Sequence, residues 1–242
     1  MKTDLLERSP RPAAVAVRQP ARGARGRRVP SGGRLVRSRW TRVGLVAFSV
    51  VCLAVASAAT AFPTLSNWWA GARQHALAAQ LDDPTLAGQL RSGSVGDGRP
   101  VGRIDIPAIG ADFVVVQGVS ASDLASGPGH YPGTPMPCSA GNAGIAGHRT
   151  TFLHPFYALD ELRPGDVITI TTPTESCAYR VDAPPFAVAP TDTGVLHGTP
   201  GDATLTLTTC TPRGSAAQRL IVTAALVPGS LRPAPTSARA PA

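Results

Sequence analysis

Apolar and polar positions alternate in two quite different ways along this chain. From Val43 to Phe62 the sequence VGLVAFSVVCLAVASAATAF runs for twenty residues without a charge or a proline. As a helix that run measures about 30 Å, the thickness of a bilayer core. A core helix of that length would show a polar face, and none is present, so the pattern predicts one transmembrane helix. Beyond residue 100 the apolar stretches are short and broken by turn residues such as PAIG, GPGHYPGT, RPGD and TPGD. Strands are predicted over residues 101–106, 111–117, 143–148, 166–172, 177–182, 185–189, 203–210 and 218–226. Short helices are expected near 121–125 and 155–162. Eight short strands predict an all-β fold, a closed or nearly closed barrel preceded by the membrane helix.

The expected organisation is a basic tail over residues 1–42, a membrane helix over 43–62, a stalk or linker over 63–100, a catalytic domain over 101–227, and a loose Pro/Ala/Ser-rich tail over 228–242. Within the stalk, Trp68 and Trp69 suit a membrane interface, and a weakly amphipathic helix over 74–81 is expected to stop at Pro84. About 130 residues suffice for one stable core.

Charge sharpens this layout. Up to Arg42 there are twelve Lys or Arg side chains against Asp4 and Glu7, whereas from Val43 onward eleven basic side chains face thirteen acidic ones. The overall charge of +8 therefore belongs to the tail. A nucleic-acid-binding protein would carry its basic surface on the folded part, so that class is excluded. Arg34, Arg37, Arg39 and Arg42 precede the apolar run and nothing basic follows until Arg73, which places the N-terminus in the cytoplasm and the remainder outside. A cleaved signal peptide is the rival reading, but a forty-residue basic region and a twenty-residue apolar run are both long for one.

Cysteine usage then points to chemistry. Cys52 lies in the apolar run; Cys138, Cys177 and Cys210 lie beyond it. An odd number of thiols in an oxidising compartment leaves at least one without an intramolecular partner. Cys138 and Cys177 sit in turn-like surroundings where a bridge would tie two loops, and a disulfide and two free thiols both remain open. Cys210 ends the segment ATLTLTTC, whose alternation puts Leu205 and Leu207 on one face and Thr206, Thr208 and Cys210 on the other. A nucleophilic cysteine needs a base or cation, an acid for the leaving amine and donors for the oxyanion. His148 ends NAGIAGH, and Arg219 follows Cys210 across the turn TPRGSAAQ, where a strand and its return bring it beside the strand end.

The blocks AGHRTT (146–151) and TLTTCTPR (206–213), followed by QRLIV (218–222), resemble the sortases, membrane-anchored cysteine transpeptidases of Gram-positive bacteria. The likeness runs from about residue 101 to 226 and is most similar to the class E enzymes of actinobacteria. It implies an eight-stranded sortase barrel with His148, Cys210 and Arg219 as the catalytic residues. Thr209 is implied in shaping the oxyanion site, and Tyr131 in reading the alanine of an LAxTG-like sorting signal. Two positions depart from the class E pattern: the run Phe152, Leu153, His154 stands where small residues are common, and Gly214 where a bulkier residue is frequent. His154 is thereby a rival for the acid role.

The resemblance implies cleavage of the signal between Thr and Gly and transfer of the substrate protein to a peptidoglycan precursor amine, with no cofactor and no metal. Its implied partners are proteins bearing the signal, the precursor amine and the membrane through residues 43–62. The alternatives are a pilus-polymerising sortase, a hydrolytic cysteine peptidase and a non-catalytic wall-binding module.

Overall fold

The computed structural model describes residues 39–198 and 201–234. Most of the expected basic tail, residues 1–38, and the end of the expected C-terminal tail, residues 235–242, lie outside that range. The chain divides into two units, Met1–Ser49 and Val50–Ala242. The described part of the first is the opening of helix α1 (Arg39–Gln80), and the second holds the rest of α1 and the barrel.

Helix α1 is 42 residues long, about 63 Å at 1.5 Å per residue. Its apolar stretch, from Val43 through Phe48 and Leu53 to Phe62, is exposed all round. Among the described residues it is the one helix long and apolar enough to cross a membrane.

The segment expected as a stalk is instead helical and packed. The helix continues through Pro63 to Gln80, and Ser66, Ala70 and Leu77 are buried on one stripe of it. Pro84 does stand beyond its end, but as the first residue of helix α2 (Pro84–Ser92), whose N-cap Asp83 accepts a bond from the Thr85 amide. Leu86 of α2 is fully buried. The stripe at spacings of three and four residues, weak by sequence because Ala and Ser carry little hydrophobicity, is what lets a helix lie close on a sheet.

Ten strands follow: β1 (Pro100–Ile106), β2 (Ala111–Gln117), β3 (Gly129–His130), β4 (Gly141–Ala146), β5 (Val167–Thr171), β6 (Glu175–Val181), β7 (Phe186–Val188), β8 (Ala203–Thr211), β9 (Gln218–Leu226) and β10 (Arg232–Pro233). Eight of them close a ring in the order β6-β5-β1-β2-β3-β4-β8-β9, sealed by β9 against β6. The barrel has the expected strand number but not the expected membership. The segment around residues 185–189 forms β7, which only flanks β9, and β3 takes the eighth place in the ring. β3 is two residues long inside GPGHYPGT, too short for any periodicity to show; β10 falls within the expected tail.

Inside the ring Ile104, Ile145, Phe156, Ile168, Leu205 and Leu207 are buried in one core. Gln74 of α1 docks that helix on the outer side of β2: its Oε1 accepts from the Val114 amide at 2.7 Å, and its Nε2 donates to the Val114 carbonyl at 3.0 Å and to Ser126 O at 2.8 Å. Leu77 packs there against Val114 and Val116. A short helix α3 (Ala121–Ser126), capped by Ser120 and Asp123 on each other's backbone, connects β2 to β3. The expected helix near 155–162 is a single 3₁₀ turn, Leu159–Glu161.

Cys138 and Cys177 are joined by a disulfide, with Cα atoms 5.7 Å apart. Both are buried, and Cys177 lies within β6 rather than in a loop, so the bridge ties the β3–β4 connection to the barrel wall.

Candidate active site

The site begins with the register of two neighbours of β8. In the antiparallel β8–β9 pair, Cys210 stands directly opposite Arg219. Opposed residues lie about 5 Å apart and share a face, so the Arg219 side chain leaves the sheet on the side of the Cys210 sulfur. On the other flank β4 runs parallel to β8 with Ala146 beside Thr208, and the Gly147 amide donates to Thr208 O at 3.0 Å. His148 lies two residues beyond this last ladder pair, as Cys210 does on β8, so continuing the register past the end of β4 would set the two side by side. The strand spacing is about 4.8 Å, so the backbones of Cys210 and Arg219 and the segment leaving β4 toward His148 are neighbours at one end of the barrel. Sequence alone placed these residues 62 and 9 positions from one another.

The inner and outer faces of β8 behave as their alternation requires. Leu205 and Leu207 enter the core, while Thr206 and Thr208 are buried on the opposite side beneath a second layer. That layer is built by Tyr131, whose hydroxyl lies 3.0 Å from Thr208 Oγ1, and by the 3₁₀ turn Gly194–Leu196, whose Val195 carbonyl accepts from Thr206 Oγ1 at 3.2 Å. Gly144 makes room for it: a Cβ there would meet Tyr131 at 2.9 Å and Leu196 at 2.8 Å. Tyr131 is thus placed on the face that carries Cys210, one alternation upstream.

Thr209 points the other way. Its buried hydroxyl donates to Gly147 O at 2.8 Å, which fastens the His148 segment to the Cys210 strand. The Phe156 amide adds a bond to His148 O at 3.1 Å. His148 itself is half-buried, and that burial pushes its imidazole below the usual histidine range, favouring the neutral form. His154, the rival, is exposed and meets Tyr157 edge-on at 5.5 Å. It follows a turn in which Phe152, Leu153 and His154 all have left-handed backbone, with φ of 50°, 63° and 40°.

One residue of the rim was not singled out from the sequence. Arg149 is 4% exposed, and its guanidinium donates to Cys210 O at 3.3 Å, Thr211 Oγ1 at 3.2 Å and Tyr157 O at 3.3 Å. It also pairs with Asp160 at 2.8 Å. Burial would raise the Asp160 carboxyl, but Arg213 and Arg149 outweigh it and hold the group below its ordinary value. Its position next to His148 in GHRTT was the available signal; an arginine in a loop reads as a solvated charge until tertiary contacts bury it. Arg219 is differently held. It has no carboxylate partner among the described residues, and its Nη1 donates to Ala216 O and Gln218 O of its own turn, both at 3.3 Å.

A thiol, an imidazole and a guanidinium with no carboxylate partner among the described residues are the groups that acyl transfer through a thioester requires. Comparison with known proteins agrees. A family model described as Sortase domain matches residues 104–227. Sortase SrtE1 of Streptomyces coelicolor is 32% identical over 179 residues, covering 66% of this chain and 51% of its own length. The chain therefore spans about half the length of that curated relative. Among solved structures, a Clostridium perfringens sortase D5 transpeptidase superposes with a TM-score of 0.57 at 32% identity, covering 65% of this chain and 97% of that one. Sortase E of Streptomyces avermitilis does so with a TM-score of 0.52 at 34% identity, over 57% of this chain and 93% of that one.

Proposed function

The chain belongs to the sortase family, and on that premise we propose that it is a membrane-anchored cysteine transpeptidase acting on proteins with an LAxTG-like sorting signal. The observation that carries this reading is the Cys210–Arg219 pairing, with His148 two residues beyond the end of the flanking strand β4. Cys210 Sγ attacks the carbonyl of the signal's Thr, the tetrahedral centre collapses, and the Thr–Gly bond breaks. His148 takes the Cys210 thiol proton as the sulfur attacks and passes it to the departing glycine amine. Arg219, free of any carboxylate among the described residues, turns its guanidinium to the oxyanion or to the peptide backbone. A cell-wall precursor amine then attacks the thioester, the bond to Cys210 Sγ breaks, the amine proton passes through His148 to the departing sulfur, and the substrate protein leaves on the new amide.

Tyr131 stands on the Cys210 face and is the residue proposed to read the alanine of the signal; Thr209 contributes by fixing the Gly147–His148 backbone. Helix α1 is the anchor, with the arginines before residue 43 on the cytoplasmic side and the barrel outside.

The test is the full chain in detergent or nanodiscs, given an LAxTG peptide with and without an amine acceptor. The acylated residue is mapped by mass spectrometry. Acyl-enzyme on Cys210 and amine-dependent product are expected, and both vanish in Cys210→Ala. Turnover retained in Cys210→Ala removes the proposal. Product formed equally without amine identifies a hydrolase, and product only with a lysine side chain identifies a pilus polymerase.

A further inference from the structure

The turn after His148 is held from outside the barrel. Phe152, Leu153 and His154 take left-handed backbone one after another, and none is glycine. L-residues visit that region singly and at a cost, so three in a row persist only where neighbours hold them. Two side chains of α1 do so, both from the unit that contains the barrel. Asn67 Oδ1 accepts the Leu153 amide at 2.8 Å. The Phe62 ring meets the Phe152 ring edge-on, with centroids 6.3 Å apart and planes at 83°. Phe152 in turn lies against His148, ring centroids 5.2 Å apart and planes inclined by 32°. The chain of contacts runs from the end of the apolar stretch of α1 to the imidazole, through the Phe-Leu-His run that departs from the class E pattern.

We propose that Asn67 and Phe62 of α1 are positioning residues for His148, acting through the left-handed turn at Phe152 and Leu153. The anchor helix is then part of the active-site rim as well as a tether. This rests on the reading of His148 as proton donor to the leaving amine. An imidazole free to turn away from the Cys210 level would leave substrate binding intact and slow the step that needs its proton.

The experiment uses the full chain in nanodiscs, comparing wild type, Asn67→Ala and Asn67→Asp for acylation by an LAxTG peptide, with barrel melting as a control. Asn67→Ala is expected to lower kcat about 10- to 100-fold with KM within about twofold, the scale of a misplaced catalytic group. Asn67→Asp, whose carboxylate still accepts the Leu153 amide, is expected to restore most of that loss. Amide exchange at Leu153 speeds up in the alanine variant only. An active wild type with unchanged kcat in Asn67→Ala overturns this inference and leaves the transpeptidase reading standing. Equal losses in Asn67→Ala and Asn67→Asp overturn it too, because the acceptor is then irrelevant. A wild type that never acylates Cys210 takes down the transpeptidase reading and this inference together.

Discussion

The two flanks of Cys210 are built on opposite plans. On the β4 side, His148 is held by Thr209 on Gly147, by the Phe156 amide on its own carbonyl, by Phe152 against its ring and by the buried Arg149 next to it. On the β9 side, residues 212–218 are exposed, and among the described residues Arg219 bonds to carbonyls of its own turn alone. On the proposed mechanism the β4-side contacts fix the proton-transfer group, His148, before substrate arrives, because proton transfer tolerates little error in position. On the same proposal Arg219, held by two carbonyls and by no carboxylate among the described residues, can reorient to a charge that exists only once substrate is bound.

The sharpest way to break this contrast is to remove each arginine. Arg219→Ala is expected to lower the acylation rate by about 10²–10³-fold, while melting stays where a surface substitution leaves it, within about 0.5 kcal/mol. Arg149→Ala should do the reverse in emphasis: it strips donors from Cys210 O and Tyr157 O in a buried site and costs about 1–3 kcal/mol of stability. Calorimetry beside single-turnover acylation separates the two. Equal stability losses in both variants would dissolve the distinction.

A smaller effect concerns pH. Burial depresses the folded-state pKa of His148, so the limb of the acylation profile that reports it is expected below the ordinary value of about 6.5. The sign for stability follows: the unfolded chain binds the proton more readily, so the contribution is complete above the unfolded pKa and is lost as pH falls through the folded one. His130, buried between Gln117 and the Pro135 carbonyl and likewise depressed by burial, adds to the same loss on acidification. Calorimetric melting below and above pH 6.5 checks it. The smallest expected change is Arg213→Ala. Its guanidinium pairs with Asp160 and Glu161 at the surface and lies over the Tyr157 ring, 4.4 Å from its centroid, and differential scanning should show almost no displacement of the melt.

Much of the β8–β9 arm was legible because its information is local. Alternation assigned Leu205 and Leu207 to the core and Cys210 to the other face, and a short turn sufficed to return Arg219. The β4 side was legible only as a motif. That His148 lies two residues beyond the β4–β8 ladder, as Cys210 does, depends on a parallel pairing across 62 residues, and parallel register leaves no trace in either strand's own pattern. α1 was half legible. Its apolar stretch announces itself, but the stripe of Ser66, Ala70, Gln74 and Leu77 is small or polar except for Leu77, and only the sheet it meets shows that a presumed stalk is a docked helix.

By itself the sequence determined the apolar helix, seven of the eight strands of the barrel, the candidate residues Cys210, His148 and Arg219, and the family. Each is written in side-chain type and short-range period. Tertiary structure decided which eight strands close the ring, the bridge between Cys138 and Cys177, the burial of Arg149 and the grip of Asn67 on the turn beyond His148. The bridge, the Arg149–Cys210 bond and the Asn67–Leu153 bond join residues 39, 61 and 86 positions apart. Such contacts exist only after loop closure has brought their partners together, so no local pattern has to encode them.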